Sequence, residues 1–92
     1  MHAIITTTGA DRVGIIAGVA GAAAENGLNI LDLSQTIMDD YFTMVMRVET
    51  TKDGADGPDV STLQERFDEV GARLGVIVRI QSEALFTAMN EV

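Results

Sequence analysis

The residues best placed to do chemistry in this chain stand in one octapeptide, Gly9-Ala10-Asp11-Arg12-Val13-Gly14-Ile15-Ile16. An acid and a base sit side by side between two glycines. A β-branched run, residues 4–8, precedes them and an Ala-rich run, residues 15–24, follows. This pattern predicts a strand handing over to a helix. Glycine lets a backbone turn tightly or approach a ligand closely. The first turn of a helix leaves N–H groups unpaired and carries a partial positive charge. Such a corner can hold a carboxylate or another small anion. A plainer reading stays open beside it, a strand–helix turn with Asp11 as the helix cap and Arg12 in solvent.

Other chemistry has less to work with. The one histidine, His2, stands beside the start methionine, where a solvent residue is more usual than a base. No Ser-His-Asp set is identifiable, so no catalytic residue is assigned. Asp39-Asp40 and Asp53/Asp56 are oxygen donors in turns, but their spacing does not match a calcium loop. No metal and no cofactor is therefore expected. Asp32 lies in a mostly apolar run and is expected either to pair with Arg47 or Arg79 across a sheet or to occupy an exposed edge. The five methionines read as core filler.

Composition narrows the class. The chain has 92 residues and is read as a single domain over its whole length. A domain of this size buries only about 60–65% of its unfolded surface. Aromatic residues are few, and with no cysteine neither a disulfide nor a thiolate metal site can add stability. A second subunit is one way for so small a core to gain buried area. The formal net charge of −8 argues against nucleic acid and against an anionic membrane surface. No apolar run reaches the ~20 residues of a transmembrane helix. The first residues enter a strand pattern at once, without the apolar segment of a signal peptide. A soluble, cytoplasmic protein is the expectation.

The elements that must position the octapeptide follow from periodicity. Residues 2–8 read as a strand and residues 13–26 as a helix, with Ile16, Val19, Ala20 and Ala23 as its core stripe. Asn26-Gly27 stops that helix. Residues 28–38 read as a long strand of imperfect alternation that a β-bulge would reconcile. Asp39-Asp40 is a turn, and residues 41–49 give the cleanest period-two signal. Residues 51–59 form a polar Gly/Pro loop. The next helix begins near Asp59 or Ser61 and buries Val60, Leu63, Phe67, Val70 and Leu74. Gly75 ends it, residues 76–81 form a fourth strand, and residues 82–90 a short terminal helix with Leu85, Phe86 and Met89 on one side. The order predicts an α+β, ferredoxin-like βαββαβ sandwich: a four-stranded antiparallel sheet, two helices on one face and a short C-terminal helix. The other face, carrying Thr43, Val45, Ile77 and Arg79, is half apolar and suited to a partner or to the chain's own tail.

With the octapeptide in that order, the chain resembles the ACT domain, a small-molecule-binding regulatory module of this fold. Asn26-Gly27-Leu28-Asn29-Ile30-Leu31-Asp32-Leu33-Ser34-Gln35-Thr36 and Tyr41-Phe42-Thr43-Met44-Val45-Met46 strengthen the match, as do Val78-Arg79-Ile80-Gln81 and Phe86-Thr87-Ala88-Met89. These segments are similar to the stand-alone ACT proteins of the UPF0237 group of bacteria and archaea. The resemblance implies a homodimer that binds a small molecule, most plausibly an amino acid, near a subunit interface. It places the ligand on Gly9, Ala10, Asp11, Arg12, Val13 and Gly14, with Asn29 and Ile30 from the second strand or its copy in the partner. In that picture the N–H groups of Arg12, Val13 and Gly14 meet the ligand's carboxylate, and a Gly14→Val side chain crowds it. The alternative is an interaction module that docks on an enzyme or regulator without a ligand of its own.

Overall fold

The computed structural model describes residues 2–10, 14–50 and 59–90. Strand β1 (His2–Ala10) leads to helix α1 (Ile15–Glu25), strands β2 (Leu28–Met38) and β3 (Tyr41–Thr50), helix α2 (Val60–Leu74), strand β4 (Val76–Ser82) and helix α3 (Glu83–Asn90). The strands form one antiparallel sheet in the order β2-β3-β1-β4. This is the ferredoxin-like sandwich with its short terminal helix.

Alternation decides which face is the core. Ala3 and Ile5 of β1, Phe42, Met44, Met46 and Val48 of β3, and Val76, Val78 and Ile80 of β4 share one buried cluster. Leu63 and Phe67 of α2 and Ile15, Val19, Ala22 and Ala23 of α1 close it from above. Both helices therefore cover the same face. Val60, Val70 and Leu74 are only partly buried and pack around its margin. On the opposite face α3 packs against β1 and β4, and Ile4 is buried there.

Local chemistry sets the boundaries. The Asp59 side chain accepts the Thr62 N–H at 2.8 Å and caps α2, so Asp59 rather than Ser61 starts it. Gly75, at φ 76°, ends α2 in the left-handed conformation that glycine adopts without a Cβ penalty. At the end of α1, Asn26 donates its side-chain amide to the Ala22 carbonyl at 2.7 Å, and Gly27 follows at φ 74°. The bulge expected in β2 is present as a register shift between Ile30 and Asp32.

Four expectations are corrected. β1 runs on through Gly9 and Ala10, which are strand residues and not loop. Helix α1 begins at Ile15, two residues later than the pattern suggests. Its core stripe is also shifted: Ile15 is 2% exposed and Ile16 40%. A helix made almost wholly of alanine and glycine has little contrast by which to fix its rotation. Within the stripe of α2, Val60, Val70 and Leu74, expected to be buried, are only partly so. Residues 51–58 of the Gly/Pro loop lie outside the described residues, as do the calcium-loop candidates Asp53 and Asp56.

Candidate functional site

The two glycines of the octapeptide do different work. Gly9 pairs with Phe42 on one side and Val76 on the other, in the middle of the sheet. A Cβ there would lie 2.8 Å from Val76 Cγ1, so the glycine is required by strand packing. Gly14 is the N-cap of α1, at φ 90°. A Cβ on it would meet nothing within 4 Å. Among the described residues nothing fills the space beside Gly14, and its φ of 90° disfavours a valine there.

Among the described residues nothing caps the start of helix α1. The Gly14 carbonyl accepts the Gly18 N–H at 2.8 Å, closing the first helical turn. By helix geometry the N–H groups of Ile15, Ile16 and Ala17 then have no intrahelical acceptor. Among the described residues no side chain caps them, and the first turn carries no acid to offset the positive end of the helix. Among the described residues, Ile15 to Ala17 are thus donors at the start of α1. Asp11, Arg12 and Val13, the candidate cap and ligand contacts, lie outside the described residues.

Asn29 and Ile30 are not brought to this corner within one chain. Asn29 pairs with Glu49, which pairs with His2, at the start of β1; Gly9 is near its finish. Seven residues of strand separate the two ends, roughly 23 Å. Asn29 Nδ2 donates to Glu49 Oε1 at 3.3 Å instead. Ile30 is half-buried and packs against the core.

That far end of the sheet carries a charged network. Arg47 Nε donates to Glu83 Oε1 at 2.6 Å, and Arg47 Nη1 lies 3.8 Å from Asp32 Oδ2. The Arg47 hydrogen bond holds the Glu83 carboxyl below its ordinary range, and Glu83 in turn raises the guanidinium. His2 is exposed but not adrift, with Nε2 3.5 Å from Glu49 and Nδ1 3.9 Å from Glu83. Asp32 pairs across the sheet with Arg47, as one of its two readings predicted. It is also three-quarters exposed on an edge strand, as the other predicted. Among the described residues no group of His, Cys, Asp or Glu has the arrangement of a metal site.

At the same end as Gly14 is a shallow cup of about 530 Å³, lined among others by Gly9, Tyr41, Gly71, Gly75 and Ile77. Its lining among the described residues is mostly apolar and carries no charged group. Sequence reasoning missed Gln64, Gly71 and Glu83. Gln64 and Glu83 sit on helices where a polar residue ordinarily faces water. Gly71, inside the amphipathic pattern of α2, was the available signal, because an interior helix glycine usually has a packing reason.

Comparison with known proteins places this arrangement. The sequence pattern of the ACT domain family matches residues 1–81. A UPF0237 protein of Corynebacterium glutamicum is 49% identical over 92 residues, and one of Clostridium acetobutylicum is 49% identical over 92 residues, each match covering both chains entirely. The solved ACT domain protein from Streptococcus pneumoniae superposes with a TM-score of 0.82 at 46% identity, covering 94% of this chain and 93% of that one. A formyltetrahydrofolate deformylase from Burkholderia mallei shares the fold over 88% of this chain and 28% of its own, with a TM-score of 0.74 at 18% identity. No helix among the described residues is long and apolar enough to cross a membrane.

Proposed function

This chain belongs to the ACT domain family, and from that premise we propose that it is a non-enzymatic regulatory sensor, a homodimer that binds an amino acid at the start of α1. The observation that carries the reading is the helix start: among the described residues nothing caps the N–H groups of Ile15, Ile16 and Ala17, Gly14 is left-handed, and the first turn holds no acid. A carboxylate fits that corner electrostatically and geometrically. Asp11 supplies a partner for an ammonium group, and Arg12 a charge-assisted contact to an anion.

A dimer solves the problem of Asn29. β2 is an edge strand, and above the bulge residues 32–38 are all exposed, including Leu33, Ile37 and Met38. An edge of this kind is a template for another strand. Two copies of β2 paired antiparallel about a two-fold axis within residues 32–38 carry Asn29 and Ile30 of the partner subunit toward the hairpin end. That is the end where α1 begins. The site then takes its anion corner from one chain and its second-strand residues from the other.

The test is a thermal-shift screen of the common amino acids, followed by calorimetric titration of the wild type, Asp11→Ala and Asn29→Ala. A ligand at 100 times its dissociation constant stabilises by about 2.7 kcal/mol, a visible shift for a domain of this size. Weakened binding by both variants is expected. Equal binding by all three proteins would put the site elsewhere. If no amino acid shifts the melting temperature, the alternative of an interaction module docking on an enzyme or regulator gains. Exposed Ile77 and Leu85, on the side where α3 lies, are the observation that favours it.

A further inference from the structure

The second edge of the sheet is β4, which runs back along α2 after the reversal at Gly75. Gln64 Nε2 donates to the Val78 carbonyl at 2.9 Å, and Gln64 Oε1 accepts the Ile80 N–H at 2.9 Å. One side-chain amide thus makes both hydrogen bonds that the backbone amide of a fifth strand would make. Asp68 Oδ1 accepts from the same Nε2 at 2.7 Å and holds it in place. Two helical turns on, on the same face of α2, a Cβ at Gly71 would lie 2.5 Å from the Val76 carbonyl oxygen. Glycine lets the helix backbone come down onto the strand there. Between them Gln64 and Gly71 cover the β4 edge from Val76 to Ile80.

We infer that Gln64 and Gly71 lock the β4 edge, so that copies of this chain associate through β2 and cannot add head to tail. Edge strands invite pairing, and covering one with a helix is a way to stop it. A chain with both edges free could pair β2 of one copy with β4 of the next. Such heterologous contacts do not close and build open filaments. With β4 shut, the remaining pairing joins β2 to its own copy, which is self-complementary and ends at two. Exposure supports the asymmetry: past its bulge at Leu31, β2 carries no proline or lysine and one charge, Asp32, to blunt it. The inference rests on the dimer reading above only for the state of the wild type.

The experiment is sedimentation velocity over a wide concentration range on the full chain and on Gln64→Ala, with hydrogen exchange read at the Ile80 amide. The wild type should show no species above a dimer. Gln64→Ala should show species larger than a dimer that grow with concentration, Ile80 exchange faster by about fivefold or more, and loss of the growth when Leu33→Lys is added on β2. A folded Gln64→Ala that sediments as the wild type does overturns the lock, whatever Ile80 does. So does growth that survives Leu33→Lys. Should Gln64→Ala fail to fold, Gln64→Glu gives the same decision. It keeps an acceptor for the Ile80 N–H but loses the donor to Val78, so growth supports the lock and its absence overturns it. A monomeric wild type removes the dimer reading, while the Gln64 variants still judge the lock.

Discussion

The two edges of this sheet are prepared in opposite ways. β4 is seven residues long, and Gln64 of α2 sits against its outward backbone groups. β2 is eleven residues long, interrupted once by a bulge and left exposed along its upper half. Both helices lie on the same face, so the difference does not come from which face is covered. It comes from where α2 ends. Gly75 turns the chain straight back into β4, and that short reversal holds the helix over the edge. Among the described residues no helix side chain is bonded to the backbone of residues 32–38, where Leu33, Gln35 and Ile37 point toward the helical side yet stay in solvent. A helix can thus protect an edge as well as a face, and a sheet with one protected edge has a direction in which it can grow.

Three changes break or sharpen this contrast. The largest effect is expected from Phe67→Ala, because Phe67 is fully buried and anchors α2 between sheet and α1. Chemical denaturation should show a loss of about 3–5 kcal/mol. A loss below about 1 kcal/mol would mean that something else holds α2 over β4. Next comes Leu33→Lys on β2. A charge on the open edge should leave the stability of the subunit within about 0.5 kcal/mol. It should weaken the dimer at least tenfold, about 1.4 kcal/mol, by sedimentation equilibrium. Unchanged association would move the interface off this edge.

The smallest effect concerns the side chain that the two edges share. Arg47 reaches Asp32 on β2 and Glu83 at the start of α3, just past β4. Glu83 has its folded-state pKa depressed by the Arg47 hydrogen bond, from an ordinary 4.5. Its contribution is therefore full above that value and disappears as pH falls through the lower, folded one. The protection factors of the α3 amides, which correct for the slower intrinsic exchange in acid, should fall on acidification in that window. Glu83→Gln should show weaker protection at neutral pH and lose the step. A step of unchanged size in Glu83→Gln would assign the acid lability to another carboxyl, with Asp59 at the cap of α2 next in line.

Much of the fold could be read from residue order, and particular residues show why. The α2 stripe, the Asp59 cap and the glycine stops are local, so spacing alone reveals them. The β2 bulge was legible because its two halves alternate out of phase. The rotation of α1 was not, since Ile15 and Ile16 are adjacent and Val19 stands four residues from one and three from the other, at helical spacing from both. Gly9 and Gly14 look alike in sequence, yet one answers to Val76 across the sheet and the other to its own φ. The candidate site was half legible. Its anion corner follows from a short segment, whereas the place of Asn29 depends on strand direction, which separates it from Gly14 in a single chain. Gln64 was invisible because its partners, Val78 and Ile80, lie beyond the end of its helix.

The bulge gives Leu31 an unusual arithmetic. Before it, even-numbered Leu28 and Ile30 face the core; after it, odd-numbered Leu33, Gln35 and Ile37 point to that side. Leu31 is the residue at which parity changes. Remove it, and Ile30 still meets Val48, Asp32 still meets Arg47 and Leu33 still meets Met46, now as an unbroken ladder. A single-residue deletion ordinarily inverts everything on one side of it. Here it would invert nothing. Leu31 is thus the position in β2 where the chain can lose a residue and keep every other side chain on its present side of the sheet.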